Sequence, residues 1–303
     1  PPKHGGGIGA EIRAFTVVGS PLAKWLVNAA RGKRVLDLSV QLSENLPVWW
    51  PGPGVGNSRY PYYQHVLPLP FTPPQHQRAF DSHVGTHLVP PSYALPREGF
   101  DNSDYALEIQ EWLEQYEEIY GSRGISDVTT EQVPLSQTSG WARVIDVKPL
   151  IGSTSKLSWP ASPVISPEYI KKHEKEHGEL KPGTVVIFNS GYSDIYLKPF
   201  PQDRACLVEP INGEREGWPA PGPDAIKYLA NKGIQCVATD GPTLGGVDPK
   251  NALMTYWMLG SRGMVGVEYL TNVGTLPSKA YFLFAAPRIR DSHGGTGRAI
   301  ALY

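Results

Sequence analysis

The sequence predicts an α/β fold built on one mixed central sheet. Short β-branched runs bounded by turn residues recur through the chain, as in Val144-Ile-Asp-Val and Thr184-Val-Val-Ile-Phe. Segments with helical spacing lie between them. Strands and helices alternate only in part, which points to a mixed rather than a purely parallel sheet. At 303 residues the chain exceeds the usual single domain without dividing clearly into two, and it can bury a substantial core.

Taken in order, residues 1–8 are rich in Pro and Gly and read as a loose start. Ala10 to Ala30 has helical spacing at Ile12, Phe15, Leu22, Trp25 and Leu26, broken by Gly19-Ser20-Pro21, so two short helices are expected. Arg34-Val-Leu-Asp-Leu-Ser-Val reads as a strand. Residues 44–75 carry many Pro, Gly and Trp with little periodicity and read as a long ordered loop. Ser166 is an N-cap for a charged helix from Pro167 to Leu180. Pro223 to Lys232 is a second helix, closed by Gly233. Gln235-Cys-Val-Ala-Thr-Asp follows as a buried strand, and Asn251 to Gly263 as a further helix. Val265-Gly-Val-Glu268 reads as a strand, Tyr269-Leu-Thr-Asn as helix-like, and Ala280-Tyr-Phe-Leu-Phe-Ala-Ala as a last core strand.

Composition excludes several classes of function. Net charge is −1, so no electrostatic argument supports nucleic acid or an anionic membrane surface. No apolar run approaches the ~18–20 residues of a membrane span. Cys206 and Cys236 form neither a disulfide framework nor a zinc spacing. The chain begins at Pro1 rather than Met, which leaves a removed signal peptide, a tag or a leader open. A cytoplasmic location is the expectation, and an exported one if a signal peptide preceded Pro1.

Residues 83–91 read His-Val-Gly-Thr-His-Leu-Val-Pro-Pro. This segment resembles the H-x-G-T-H-x-D-x-P-x-H signature of the cyclase family of metal-dependent hydrolases, which includes kynurenine formamidases and isatin hydrolases. His83, Gly85, Thr86, His87 and Pro91 match. Val89 stands in place of the Asp, and Tyr93 in place of the last His. The resemblance extends in order from Val35-Leu-Asp-Leu-Ser through Pro47-Val-Trp-Trp-Pro-Gly52, Leu180 to Tyr192, Tyr228 to Asp240 and Gly263 to Asn272, to Gly294-Gly-Thr-Gly-Arg-Ala-Ile-Ala. It implies a catalytic domain over residues 34–303, with a mixed sheet or barrel-like core flanked by helices (a swivelling β/β/α fold), preceded by an N-terminal extension at 1–33.

The resemblance also implies a ligand set. His83 and His87 match two metal ligands, and Glu268 a distant carboxylate. Tyr256, twelve residues before Glu268, stands where a further His ligand is expected. Two metals held ~3.5–4 Å apart need a shared ligand against cation repulsion, and Val89 offers no oxygen. At most one divalent metal is therefore expected on His83, His87 and Glu268, with Zn, Mn or Fe all compatible. If none binds, two imidazoles, the Tyr93 phenol and Glu268 remain for acid–base work. Close histidines disfavour each other's protonation, so at least one is expected neutral near pH 7.

His173-Glu-Lys-Glu-His177 matches H-E-x-x-H literally, but the helix is crowded with charge and no third ligand follows. Glu174 and Glu176 read as a solvated face. Asp81, two residues before His83, would share its side of an extended strand. Asp240 and Asp248 read as hydrogen-bonding or turn residues. Gly294-Gly-Thr-Gly lacks a phosphate-loop ending and reads as a turn leading into a strand. Trp49, Trp50, Tyr192, Tyr256 and Trp257 are candidate aromatic walls for a planar substrate, with core packing as the plain alternative. The expected activity is hydrolysis of a cyclic or linear amide or of a lactone. A metal-independent cyclase, lyase or isomerase and a non-catalytic binding protein are the rival readings. A homodimer or homotetramer is expected, with the 44–75 loop near a subunit boundary.

Overall fold

The computed structural model describes residues 34–43, 46–47, 63–69, 72–79, 81–199 and 202–303; of 63–69 and 72–79 only the backbone is described. The expected helices in Ala10–Ala30 and the pair Trp49 and Trp50 lie outside these residues. No helix among the described residues is long and apolar enough to cross a membrane.

The strands are β1 (Val35–Asp37), β2 (Tyr63–Leu69), β3 (Thr72–Ala79), β4 (His87–Val89), β5 (Ser139–Asp146), β6 (Val164–Ile165), β7 (Val185–Asn189), β8 (Ala220–Pro221), β9 (Cys236–Thr239), β10 (Val265–Glu268), β11 (Lys279–Ala285), β12 (Gly295–Thr296) and β13 (Arg298–Leu302). The helices are α1 (Leu107–Tyr120), α2 (Pro167–His177), α3 (Tyr192–Tyr196), α4 (Val208–Ile211), α5 (Pro223–Asn231) and α6 (Pro249–Ser261). Nine strands form one mixed sheet in the order β1-β13-β11-β5-β7-β9-β10-β4-β12. Its centre, β5-β7-β9-β10, is parallel, and its flanks are antiparallel. β12 at one edge and β13 near the other are separated in sequence by Gly297 alone. One stretch of chain thus spans both ends, and the sheet curls into a half-barrel. A Cβ at Gly297 would lie 2.3 Å from the Ala285 carbonyl oxygen, so the closure needs glycine.

The central strands are buried on both faces, as a parallel sheet under helices requires. Along β7, Val185 and Ile187 point into the curl with Ala142, Val265, Phe282 and Ala301. Val186 and Phe188 point out, onto Ile170, Ile226, Leu229 and Trp257. Cys236 lies inside the curl and Cys206 in a separate buried cluster; both are free thiols that burial pushes up to about 12. Ser166 caps α2 as expected, its hydroxyl accepting from the Tyr169 N–H at 3.2 Å, and Asp248 caps α6 through the Asn251 N–H at 2.7 Å.

Several expectations need correction. The 44–75 segment is not one loop, because β2 and β3 pair as an antiparallel hairpin within and beyond it. Tyr269-Leu-Thr-Asn is not helical: Tyr269 has φ 59° and Leu270 bridges to Ser39. Glu174 is buried rather than solvated, since it accepts from the Leu180 N–H at 2.8 Å and from the Tyr228 hydroxyl, and pairs with Lys232 at 3.3 Å. Helix α1 was not expected, although Ile109, Trp112, Leu113, Tyr116 and Tyr120 carry the helical period. Its buried Tyr116 packs on Trp257.

Asp240, at the end of β9, is fully buried. It accepts from the Ser190 N–H at 2.9 Å, the Ser190 hydroxyl at 2.5 Å and the Gly191 N–H at 2.6 Å. Burial outweighs these donors and pushes its carboxyl up to about 6. A carboxyl raised in the fold loses stability as pH rises from its unfolded value near 4 through 6. Urea unfolding should therefore show the stability gap between Asp240→Asn and the parent shifting in favour of the variant across that window. A gap independent of pH would show that Asp240 does not titrate there.

Candidate active site

The site is assembled where β4 meets β10. These strands are antiparallel, and Glu268 lies directly opposite His87. Both side chains face the helix side of the sheet, and both are buried. His87 Nε2 and Glu268 Oε2 are 3.1 Å apart. Glu268 Oε1 accepts the Tyr256 hydroxyl at 2.5 Å and the Leu244 N–H at 2.7 Å. On the other side of its ring, His87 Nδ1 lies 2.8 Å from the Gly85 carbonyl oxygen.

A carbonyl only accepts, so Nδ1 of His87 carries a hydrogen. Nε2 is then the atom that faces Glu268, close enough for an ion pair when the ring is protonated.

The rest of the motif holds this pair in place. Gly85 has φ +64°, and a Cβ there would come within 2.4 Å of Leu42 Cδ2. Only glycine turns the chain so that the Gly85 carbonyl meets the His87 ring. The Thr86 hydroxyl donates to the Tyr269 carbonyl at 2.7 Å and accepts from the Val40 N–H at 2.9 Å. It ties the start of β4 to the end of β10. Tyr269 pays for this with a left-handed backbone, which costs a bulky residue about 1–3 kcal/mol.

His83 sits in the turn before β4, not on a helix face with His87. The two ring centroids are 5.3 Å apart. His83 Nε2 lies 3.0 Å from the His293 carbonyl, while Nδ1 lies 3.2 Å from both the Ser82 hydroxyl and the Asp81 carboxylate. Asp81 also accepts the His83 N–H at 2.7 Å, so it braces the turn rather than sharing a strand face. Burial, then the charge of His87, holds the His83 ring below its ordinary value of 6.5. A neutral ring can donate to only one of these acceptors; with its proton on Nε2 it donates to the His293 carbonyl and accepts the Ser82 hydroxyl at Nδ1.

These groups open on a cavity of ≈ 450 Å³, a size suited to a small molecule. Its wall includes Asp81, His83, His87, Tyr93, Tyr256, Glu268, Tyr269 and His293, with Leu207, Pro242 and Leu253 as apolar surface. Tyr93 packs between His83 and Tyr256, at centroid distances of 4.8 and 5.1 Å. Its residue is 42% exposed, yet its phenol faces this crowded wall. Burial, with the charges of Glu268 and Asp81, pushes it up to about 12, so it stays protonated at neutral pH. His293 and Tyr269 were not foreseen; His293 precedes the Gly294-Gly295 turn, and only its adjacency to the closing strand hinted at it.

Two expected wall residues lie elsewhere. Tyr192 is buried against Trp218, its hydroxyl donating to the Cys206 carbonyl at 2.9 Å. Trp257 is buried among the helices. Both pack the interior. His173 and His177 sit on α2, outside the cavity wall, with His173 pushed down to about 4 mainly by burial.

The residues present do not make a complete metal site. Among the described residues no three His, Cys, Asp or Glu side chains converge on one point. His87 and Glu268 meet, but the nitrogens of His83 turn to Asp81, Ser82 and His293 instead. Val89 points to the same sheet face as His87, one strand repeat further on, and is buried in the apolar core. Tyr256 supplies a phenol that donates to Glu268 where a further ligand was expected. This set falls short of the three protein ligands of a catalytic zinc site.

Comparison with known proteins places the chain in a family and a fold. The family model described as Putative cyclase matches residues 36–245. An isatin hydrolase from Roseibium aggregatum is 30% identical over 177 residues, or 54% of this chain. The match spans 64% of that relative's length. The crystal structure of an isatin hydrolase bound to the product analogue thioisatinate superposes with a TM-score of 0.65 at 22% identity, covering 93% of this chain and 97% of that one. Isatin hydrolase A from Ralstonia solanacearum gives 0.67 at 18% identity, covering 95% and 98%. At such identities the two structures speak for the fold alone.

Val89 is the position at which a carboxylate would reach the His87 side of β4. Val89→Asp buries a charge without a partner, which destabilises the protein by several kcal/mol. Divalent zinc or manganese should then raise the melting temperature of the variant well above any shift seen for the parent. No metal-dependent shift in Val89→Asp would mean that the surrounding backbone also bars an ion.

Proposed function

The chain belongs to the putative cyclase family, and on that premise we propose that it is a hydrolase opening a cyclic or linear amide or a lactone of a small aromatic molecule. The observation that carries this reading is the buried His87–Glu268 contact at 3.1 Å on the wall of a largely apolar cavity. It sets an imidazole and a carboxyl side by side next to a second imidazole, whose charged form burial disfavours. The named isatin hydrolase among its relatives supports the same class of reaction.

In this reading the substrate ring lies among Tyr93, Tyr256 and Leu253, with its carbonyl carbon near His83. Water attacks that carbon as His83 takes its proton at Nδ1, the Ser82 hydroxyl turning off that lone pair. The new imidazolium has acceptors ready on both nitrogens, Asp81 at 3.2 Å and the His293 carbonyl at 3.0 Å. Burial keeps the ring neutral beforehand, and these acceptors stabilise its charge afterwards, so the base is favoured only as it acts. The Tyr93 hydroxyl, kept protonated, donates to the carbonyl oxygen as negative charge gathers there. The carbon–nitrogen or carbon–oxygen bond then breaks, and the leaving atom takes the proton held between His87 and Glu268. A proton passed from His83 back to the pair restores the site; a lactam leaves as an amino acid, a lactone as a hydroxy acid, and a linear amide as a carboxylic acid and an amine. No step in this scheme runs through a metal.

Incubation in ¹⁸O-labelled water with a panel of isatin-like lactams, aromatic lactones and formanilides tests the reaction class. Label is expected in the product carboxylate. Turnover without label would favour the lyase or isomerase reading, and saturable binding without turnover the non-catalytic one. Glu268→Gln and His87→Ala should each lower kcat by roughly 10²–10⁴-fold, while His177→Ala has no effect. Tyr93→Phe, losing one donor to the oxyanion, should cost roughly 10²-fold. Should His87→Ala retain the parent's rate, the pair is not the acid.

The pH dependence follows from His83. The base works neutral, and its titration lies below 6.5. Activity should therefore be flat through neutrality and fall only as pH drops through a midpoint below 6.5. Measured kcat/KM with an acid limb centred above 6.5 would assign the base to another group.

A further inference from the structure

We infer that the His293–Gly294 peptide is the positioning element for His83: the His293 carbonyl accepts the Nε2–H of its ring, and the bare Cα of Gly294 lets the main chain lie against that ring. The functional consequence rests on the hydrolase reading, in which His83 is the base; the clamp itself rests on geometry alone.

Three observations carry it. A Cβ on Gly294 would fall 2.5 Å from His83 Cε1 and 2.6 Å from Nε2, closer than real side chains approach. The Gly294 backbone is not in the left-handed region, so contact with His83 and Ser82, not conformation, is what demands glycine. The His293 ring also stacks on His83, with centroids 5.6 Å apart and planes inclined by 27°.

The segment is pinned on both sides, so the clamp has a fixed position. Before it, the Thr130 N–H donates to the Ser292 carbonyl at 2.8 Å, and the Ser292 hydroxyl donates to the Gly294 carbonyl at 2.5 Å. After it, β12 pairs with β4, placing Thr296 opposite His87. The Thr296 hydroxyl lies 3.0 Å from the Val84 carbonyl and 3.3 Å from that of Ser82, on either side of His83. The strand that closes the half-barrel thus registers against the His87 strand and, in the same stretch, presents the His293 carbonyl to Nε2 of His83.

The experiment has a spectroscopic arm and a kinetic arm, both on the full chain. Nitrogen-15 spectra of histidine-labelled parent protein at alkaline pH should show His83 with its proton on Nε2; a proton on Nδ1 overturns the proposal. In Gly294→Ala that signature should be lost while the melting curve and far-UV spectrum stay those of a folded protein. Displacing a base by about an ångström costs roughly 10–10²-fold, so kcat for a turned-over lactam should fall by that factor with KM little changed. In a His83→Ala background the same substitution should cost almost nothing more, because the two act through one ring. Equal losses in both backgrounds would make Gly294 merely structural and overturn the inference. If the panel contains no substrate, the hydrolase reading fails, and the spectra of parent and Gly294→Ala still decide whether the clamp exists.

Discussion

Every group in the cavity depends on β4 lying antiparallel to β10 with His87 opposite Glu268. Side chains alternate along a strand, so a slip of one residue would turn His87 into the apolar inside of the half-barrel and bring Leu88 outward. Two devices hold the register. Thr86 bonds the end of β10 to the loop after β1. β12 pairs with the far side of β4 and makes this short strand an interior one. A three-residue strand could not keep such a pairing alone; enclosed on both sides, it can.

Two of the departures from the family pattern, Val89 and Tyr256, fit one physical arrangement. An acid at position 89 would need a cation or donors beside it, because a buried unpaired carboxylate costs several kcal/mol. Valine there joins the apolar core instead. Glu268 then needs neutral donors for its oxygens, and the Tyr256 hydroxyl and the Leu244 N–H supply them, with His87 completing the set. Hydrogen bonds from neutral donors stand where an ion would otherwise balance the carboxyl. The changes at 89 and 256 are thus coupled through Glu268, although they lie on different elements.

What could be read in the sequence divides along the same lines. The core strands were legible because Val185 to Phe188 and Val265 to Glu268 combine β-branched residues with flanking turns. The caps of α2 and α6 follow local chemistry at Ser166 and Asp248. His83, His87 and Glu268 were legible as pocket residues only through their order in a family pattern, since spacing alone would have allowed a helix face. The hairpin at Tyr63–Leu69 and Thr72–Ala79 escaped because prolines mask its alternation. The inner position of Trp257 escaped because α6 is apolar on several sides, so its period does not say which side meets the cavity. His293 escaped because its role belongs largely to its carbonyl, and a backbone atom leaves no mark on residue type.

Electrostatics joins the two histidines into one device with unlike parts. His87 faces the Gly85 carbonyl through Nδ1 and the Glu268 carboxylate through Nε2, so a proton on that ring meets an acceptor on either side. His83 also has acceptors at both nitrogens, but burial and the neighbouring His87 oppose its charged form. A charge on one ring therefore opposes a charge on the other. In the proposed reaction, proton release by one histidine and proton capture by the other thus favour each other, which is the condition for a single site to act as base and acid in one turnover.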